Sequence, residues 1–274
     1  MSGGRRASRG PAETVADYDV RPPAVRTILT VVGTLVFVGA LAALLLGVSI
    51  LMRETRVATS QVDVGANGQL VIEATDTDIE IVEGEPDLLT VTSRITSGVR
   101  QTDYQLGRRG DSIRIATACQ KWLNPGCGVK TRLQVPPGLP LEIRTTTGDV
   151  KVTAMSQGVL TVRTVDGRIT ADDLGVDELT ADSDTGAVKA TFASQPFAFK
   201  ATTGSGAIDA TIPTGSRTYT VDASSKSGQV DSEIESQDGS TDGGGDAGDE
   251  GNFIRVESTS GDIRLRNGPA VEEP

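Results

Sequence analysis

Residues 141–155 read LEIRTTTGDVKVTAM, and this stretch decides the fold. Leu141, Ile143 and Thr145 alternate with Glu142, Arg144 and Thr146. After Gly148, Val150, Val152 and Ala154 alternate with Lys151 and Thr153. A period of two places one set inward and the other outward, as in strands, and the glycine allows a sharp corner between two of them. The pattern recurs downstream as LTVRTVDGRITADDL (160–174), LTADSDTGAVKATFA (179–193), FAFKATTGSGAIDATIP (197–213), YTVDASSKSGQVDSEI (219–234) and IRVESTSGDIRLRNG (254–268). The registering glycines are Gly148, Gly167, Gly186, Gly206, Gly228 and Gly261, at steps of 19, 19, 20, 22 and 33 residues. A weaker copy, LVIEATDTDIEIVEG, starts at Leu70.

One such unit cannot bury its apolar row alone, but stacked units can. The expectation is an all-β fold, a β-solenoid (β-helix) of about 19–22-residue rungs, preceded by one transmembrane α-helix. Short strands at this spacing also suit an antiparallel sandwich; copies that resemble one another favour the solenoid. Aligning strand against strand predicts an inward column of Ile143, Val162, Ala181, Phe199, Val221 and Val256. The matching outward column is Arg144, Arg163, Asp182, Lys200, Asp222 and Glu257, whose mixed signs suit a charge ladder on an exposed sheet.

At VPPGLPLEIRTTTGDVKVTAM (135–155) and STSGDIRLRNG (258–268) the chain resembles the "putative adhesin" repeat-domain family of bacterial envelope proteins. The resemblance covers roughly residues 61–267 and is strongest from Val135 onward. It implies a β-solenoid of T-x-S-G-D-[IV] rungs, often behind a single membrane span, and it brings no catalytic residues. Ala187 and Gln229 stand where the family has Asp, which marks that Asp as a turn residue and not a ligand.

Between Arg26 and Arg53 lie 26 uncharged residues, TILTVVGTLVFVGALAALLLGVSILM, enough to cross a bilayer that needs about 20. Five arginines precede the run, at 5, 6, 9, 21 and 26; only Arg53 and Arg56 follow closely. The positive-inside bias then puts the N-terminus in the cytoplasm and the C-terminal part outside. The tail nets +2, its five Arg set against Glu13, Asp17 and Asp19, which leaves −13 for the rest of the −11 chain. The expected organisation is a disordered cytoplasmic tail (1–26), the membrane helix (27–52), a stalk (53–60), the repeat domain (61–267) and a short tail (268–274). Residues 237–252, rich in Gly and Asp, read as a disordered insertion without the spacing of a calcium loop. Gly39, Ala43 and Gly47, four apart, form a candidate helix-dimer seam.

The 274 residues contain no His, which removes the usual general base of Ser and Cys hydrolases and the commonest zinc ligand. The pI near 4.6 argues against nucleic acid as a partner. Cys119 and Cys127, the two cysteines, flank QKWLNPG with the sole Trp122 and are placed for a hairpin disulfide. Carboxylates for polysaccharide chemistry would come from Asp172, Asp173, Asp177, Asp182 and Asp184, although turn and surface roles explain them as well. No cofactor or metal is expected. The functional reading is a non-enzymatic adhesion, scaffold or sensing module of the bacterial envelope, integral to the membrane, with cell-wall polymer, another envelope protein or a second copy as partner. The alternatives are an enzyme acting on envelope polysaccharide and a regulatory component of an envelope-stress system.

Overall fold

In the computed structural model of the chain, the described residues are 23–51, 54–63, 69–97, 101–109, 112–118, 127–236 and 252–270. The chain divides into two compact units, Met1–Gly47 and Val48–Pro274. The first contains most of helix α1 (Pro23–Leu51), which opens on a proline whose missing N–H costs nothing at a helix start. The helix therefore begins before residue 27, inside the stretch assigned to the tail. Its window Thr27–Leu45 has a mean hydropathy of 2.6, long and apolar enough to cross a membrane. Leu29, Leu35, Val36 and Phe37 all stand exposed on it.

The second unit is built from strands β1 (Glu54–Asp63), β2 (Leu70–Ala74), β3 (Thr77–Glu83), β4 (Leu88–Ser97), β5 (Asp103–Arg109), β6 (Ser112–Ala118) and β7 (Gly128–Val135). There follow β8 (Leu141–Thr147), β9 (Val150–Thr153), β10 (Val159–Asp166), β11 (Ile169–Leu174), β12 (Glu178–Ser183) and β13 (Val188–Phe192). The last are β14 (Ala198–Thr203), β15 (Ile208–Pro213), β16 (Thr220–Ser225), β17 (Val230–Ser232), β18 (Phe253–Ser258) and β19 (Ile263–Gly268). They form a ten-stranded and a nine-stranded sheet. Each repeat unit gives its first strand to the nine-stranded sheet and its second to the ten-stranded one, and neighbouring units pair in parallel. The inward side chains of both sheets meet in one core, with Ile143, Val162, Leu179, Ile208 and Ile254 fully buried. Within it, Phe192 and Phe199 meet edge to face at 5.4 Å between ring centroids.

Chain order and stacking order agree only in the middle. The Leu70 unit (β2, β3) lies against the Gly148 unit, and β6 and β7 pair in parallel on its other side. At the far end, β18 lies between β14 and β16, and β19 between β15 and β17. The Gly261 unit is thus inserted between those of Gly206 and Gly228. At both ends the chain reaches the outermost parallel unit and later or earlier fills the place inside it.

The inward column also needs correction. Ile143, Val162 and Ala181 are register partners, but Ala181 pairs with Ala201, Ala201 with Val256, and Val256 with Ala223. Phe199 and Val221 stand two residues earlier, beside Leu179 and Ile254. The physical reason is that the glycine corner sets the register, and counting back five residues from Gly206 and Gly228 gives Ala201 and Ala223. Lys200 and Asp222 shift likewise out of the expected outward column, where Thr202 and Ser224 take their places.

Residues 53–60 are not a stalk where they are described. Strand β1 pairs antiparallel with β4 from Glu54 to Asp63, because the backbone of β4 offers it an otherwise open edge. Strands β4 and β1 extend one sheet beyond β7, and β5 extends the other beyond β6, all antiparallel. Hydroxyls join the two sheets at this end: Ser93 Oγ lies 2.7 Å from Tyr104 Oη and 2.9 Å from Thr131 Oγ1. The other end has no such cover among the described residues, and Val221 and Ala223 of β16 are only half-buried.

Candidate functional site

The corners carry the repeat. A Cβ on Gly167, Gly186 or Gly206 would run into the carbonyl oxygen of Gly148, Gly167 or Gly186 in the unit before it. Gly261 meets Gly206 in the same way, and Gly228 meets Gly261, so the glycine column follows the stacking order and not the chain order. Gly148 meets the carbonyl of Thr77 and also sits at φ +121°, where a side chain would be strained. Three residues before the glycine stands a hydroxyl with two tasks. Ser183 Oγ accepts the Gly186 N–H at 2.8 Å and donates to the Gly167 carbonyl at 3.1 Å. Ser258 repeats this with Gly261 and Gly206, and Ser225 with Gly228 and Gly261. The residue after the glycine adds a third link: Asp149 Oδ1 accepts the Arg168 N–H at 2.9 Å, and Asp262 Oδ1 the Gln229 N–H at 3.1 Å. These carboxylates satisfy backbone.

The outer faces carry charge ladders. Arg163 lies 3.3 Å from both Glu142 and Asp182, Arg144 lies 2.7 Å from Glu142, and Arg255 lies 3.4 Å from Asp222. The ten-stranded sheet departs from simple pairing near its capped end. Register neighbours there run from Arg94 through Lys130 to Asp78, and from Arg132 through Glu80 to Lys151. Lys130 pairs with Asp78 at 3.6 Å and Arg132 with Glu80 at 3.9 Å. Arg94 and Lys151 form no ion pair with a described residue, and both are exposed. Together these six side chains line an open groove of about 520 Å³, continued by a second of about 500 Å³ that reaches Cys127 and Gly148. About 14 Å, three strand spacings, separates the strands of the two free cations.

The remaining candidates are scattered or lie elsewhere. Asp182 is held in the ladder of the nine-stranded sheet, Asp172 is on β11 in the other sheet, and the Asp173 N–H donates to Thr191 Oγ1 at 3.0 Å. Among the described residues no group of three or more His, Cys, Asp or Glu is placed to hold a metal ion. Cys127 is disulfide-bonded and directly precedes β7; Cys119 and Trp122 lie outside the described residues, as do residues 237–251. On α1, Gly39 and Gly47 have open space where a Cβ would stand. Sequence reading missed Arg94, Lys130, Arg132 and Lys151 as a set. The alternation in GVKTRLQV (128–135) was the available signal, since it marks Lys130 and Arg132 as outward.

No curated protein matches the sequence. Among solved structures, the chain is similar to a "putative cell adhesion protein" from Clostridium sporogenes ATCC 15579, at 12% identity over 78% of this chain and 100% of that one, with a TM-score of 0.43. A "putative adhesin" from Bacteroides fragilis NCTC 9343 is 11% identical over 77% and 97%, with a TM-score of 0.40. A "putative lipid binding protein" from Parabacteroides distasonis ATCC 8503 is 13% identical over 78% and 96%, with a TM-score of 0.29. Residues 137–266, which include all six glycine corners, match the family described as Toastrack DUF4097.

Proposed function

We propose that the protein is a single-pass envelope protein, with its N-terminus in the cytoplasm, that presents its stacked domain outside the cell as a non-enzymatic attachment and scaffolding module. We read the stack as a β-solenoid, supported by the in-register parallel pairing of successive units. The apolar window of α1 and the five arginines before it support the anchor and its direction.

The groove on the ten-stranded sheet carries the binding reading. Four cations, Arg94, Lys130, Arg132 and Lys151, line it against three acids, Asp78, Glu80 and Asp149; Lys130 and Arg132 are held in ion pairs, and Arg94 and Lys151 on either flank are left to meet a ligand. Two cations about 14 Å apart on a shallow face suit successive anionic groups of an extended wall polymer better than one small molecule. Each contact is weak and solvent-screened, and attachment then depends on many copies.

The test is retention of the purified chain on isolated wall polymer at low and high salt. The expected result is retention that falls with salt and weakens at least about threefold in Arg94→Ala/Lys151→Ala. Release of polymer fragments would replace this reading with catalysis. Retention unchanged in the double variant would move the binding face elsewhere.

A further inference from the structure

The connectors between units consecutive in the chain are short: five residues at 154–158, three at 175–177, five at 193–197 and six at 214–219. The step from β17 to β18 breaks this economy, with 20 residues between Ser232 and Phe253. Geometry does not require that length. Ser236 bridges to Tyr219, and its Oγ accepts the Val221 N–H at 3.1 Å. Asn252 sits on the same short stretch, accepting the Thr220 N–H at 3.0 Å and donating to the Thr218 carbonyl at 3.3 Å. Two positions flanking one strand are about 10 Å apart, which three extended residues span. The chain uses the fifteen residues 237–251, whose extended reach is about 50 Å.

The place filled by the Gly261 unit is framed without it. The connector 214–219 spans two unit heights and is fixed to the body at its far end. The Arg217 N–H donates to Gln195 Oε1 at 2.9 Å, its guanidinium lies 3.9 Å over the Phe197 ring, and Tyr219 Oη donates to the Pro196 carbonyl at 2.9 Å. The β16–β17 unit is thereby held one strand width clear of β14 and β15. What enters must pair on both sides, bury residues in the positions of Ile254, Val256, Ile263 and Leu265, and bring a glycine onto the Gly206 carbonyl. Every copy of this chain carries one arch that meets those demands.

We infer that the Gly261 arch, residues 252–268, is exchanged between copies, so that the arch of one chain fills the slot between the Gly206 and Gly228 units of another. The occupant is a second copy because the slot's pairing edges and glycine corner are complementary to this arch, and the long connector lets it leave its own body. Exchange keeps every backbone pair and buried contact of the closed form, so the two arrangements differ mainly in connector entropy and local concentration. The inference does not rest on the polymer-binding reading.

Thr202 and Glu257 are exposed register partners on β14 and β18, close enough for a disulfide between substituted cysteines. Two full-length chains with different tags would be co-expressed in membranes, one carrying Thr202→Cys and the other Glu257→Cys. The expected product under oxidation is a covalent heterodimer. Deleting residues 240–249, which leaves five connector residues, should lower its yield about tenfold or more by withdrawing the reach. A single chain carrying both substitutions should still close its internal bridge with either connector, showing that the fold survives. Internal bridging without heterodimer would overturn the inference. So would an equal heterodimer yield from the mismatched pair Thr202→Cys with Lys189→Cys, whose positions lie on different sheets.

Discussion

Thr203 donates its hydroxyl proton to the carbonyl oxygen of Gly186, 3.1 Å away in the neighbouring unit, while accepting the N–H of its own Gly206 at 2.9 Å. One buried side chain thereby satisfies a donor in its unit and an acceptor in the next. Thr203→Val keeps the shape and leaves both backbone groups without that partner, and the expected cost is about 1–3 kcal/mol. Thr164 occupies the equivalent place before Gly167, yet its buried hydroxyl has no hydrogen-bond partner among the described residues. Thr164→Val should be neutral or stabilising. Chemical denaturation of the two variants side by side checks the pair, and equal losses would refute the division of roles.

The glycine column makes a steeper prediction. At Gly186 a methyl group would strike the carbonyl of Gly167, and backbone cannot swing aside as a long side chain can. Gly186→Ala should therefore cost about 3 kcal/mol or more, or prevent folding. Gly107 on β5 has open space around its missing Cβ, and Gly107→Ala should be tolerated. Thermal melts of both variants decide this.

Tyr219 gives the stack an alkaline limit. Burial pushes its hydroxyl up to about 12, against a smaller opposing pull from Arg217. The folded state holds the proton more tightly than the unfolded chain, whose tyrosines ionise near 10. The associated stability is thus complete below pH 10 and is lost as the pH rises from about 10 through 12. Tyr219→Phe should lose about 1 kcal/mol at neutral pH with the Pro196 hydrogen bond and show a shallower decline in that window. Denaturation midpoints against pH, alongside ultraviolet titration of phenolate, measure both.

The alternation about Gly148 and its copies was readable because a strand's period and a corner's steric need are local properties. Stacking order was not. The inward residues Ile254 and Val256 would fit beside β14 whichever unit came next, and nothing local distinguishes the Gly228 unit from the Gly261 unit. The two-residue error at Phe199 and Val221 has a related cause: hydrophobicity marks both inward positions of those strands, while only the corner identifies which one shares a row with Val256. Lys130 and Arg132 escaped notice as groove residues because β6 and β7 are joined through the cysteine segment where other units have glycine. Arg94 reaches the groove from an antiparallel strand that belongs to no repeat.

Cys119 directly follows β6 and Cys127 directly precedes β7, so a bridge between them would close a corner that glycine closes in the repeats. Purified protein should show no free thiol before reduction. Reduction should cost at most about 2–3 kcal/mol, since the loop is short. Ellman titration in denaturant, before and after reductant, checks the pairing; two reactive thiols in the untreated protein would exclude it.

The anchor's direction can be tested independently of any ligand. The arginines at 5, 6, 9, 21 and 26 precede the apolar window Thr27–Leu45, against Arg53 and Arg56 just after the helix. Translocating the larger cluster would carry more positive charge across the bilayer, so insertion should leave it in the cytoplasm. Protease added to intact spheroplasts should remove a C-terminal tag and spare an N-terminal one. Replacing the five N-terminal arginines by Ser and adding three Lys after Arg56 should invert or mix the orientation, provided that charge and not the bulk of the folded domain decides. Protection of the C-terminal tag in the unmodified protein would place the stacked domain inside the cell. Wall polymer could not then be its ligand, whereas exchange of the Gly261 arch between copies would still be open to the same cross-linking experiment.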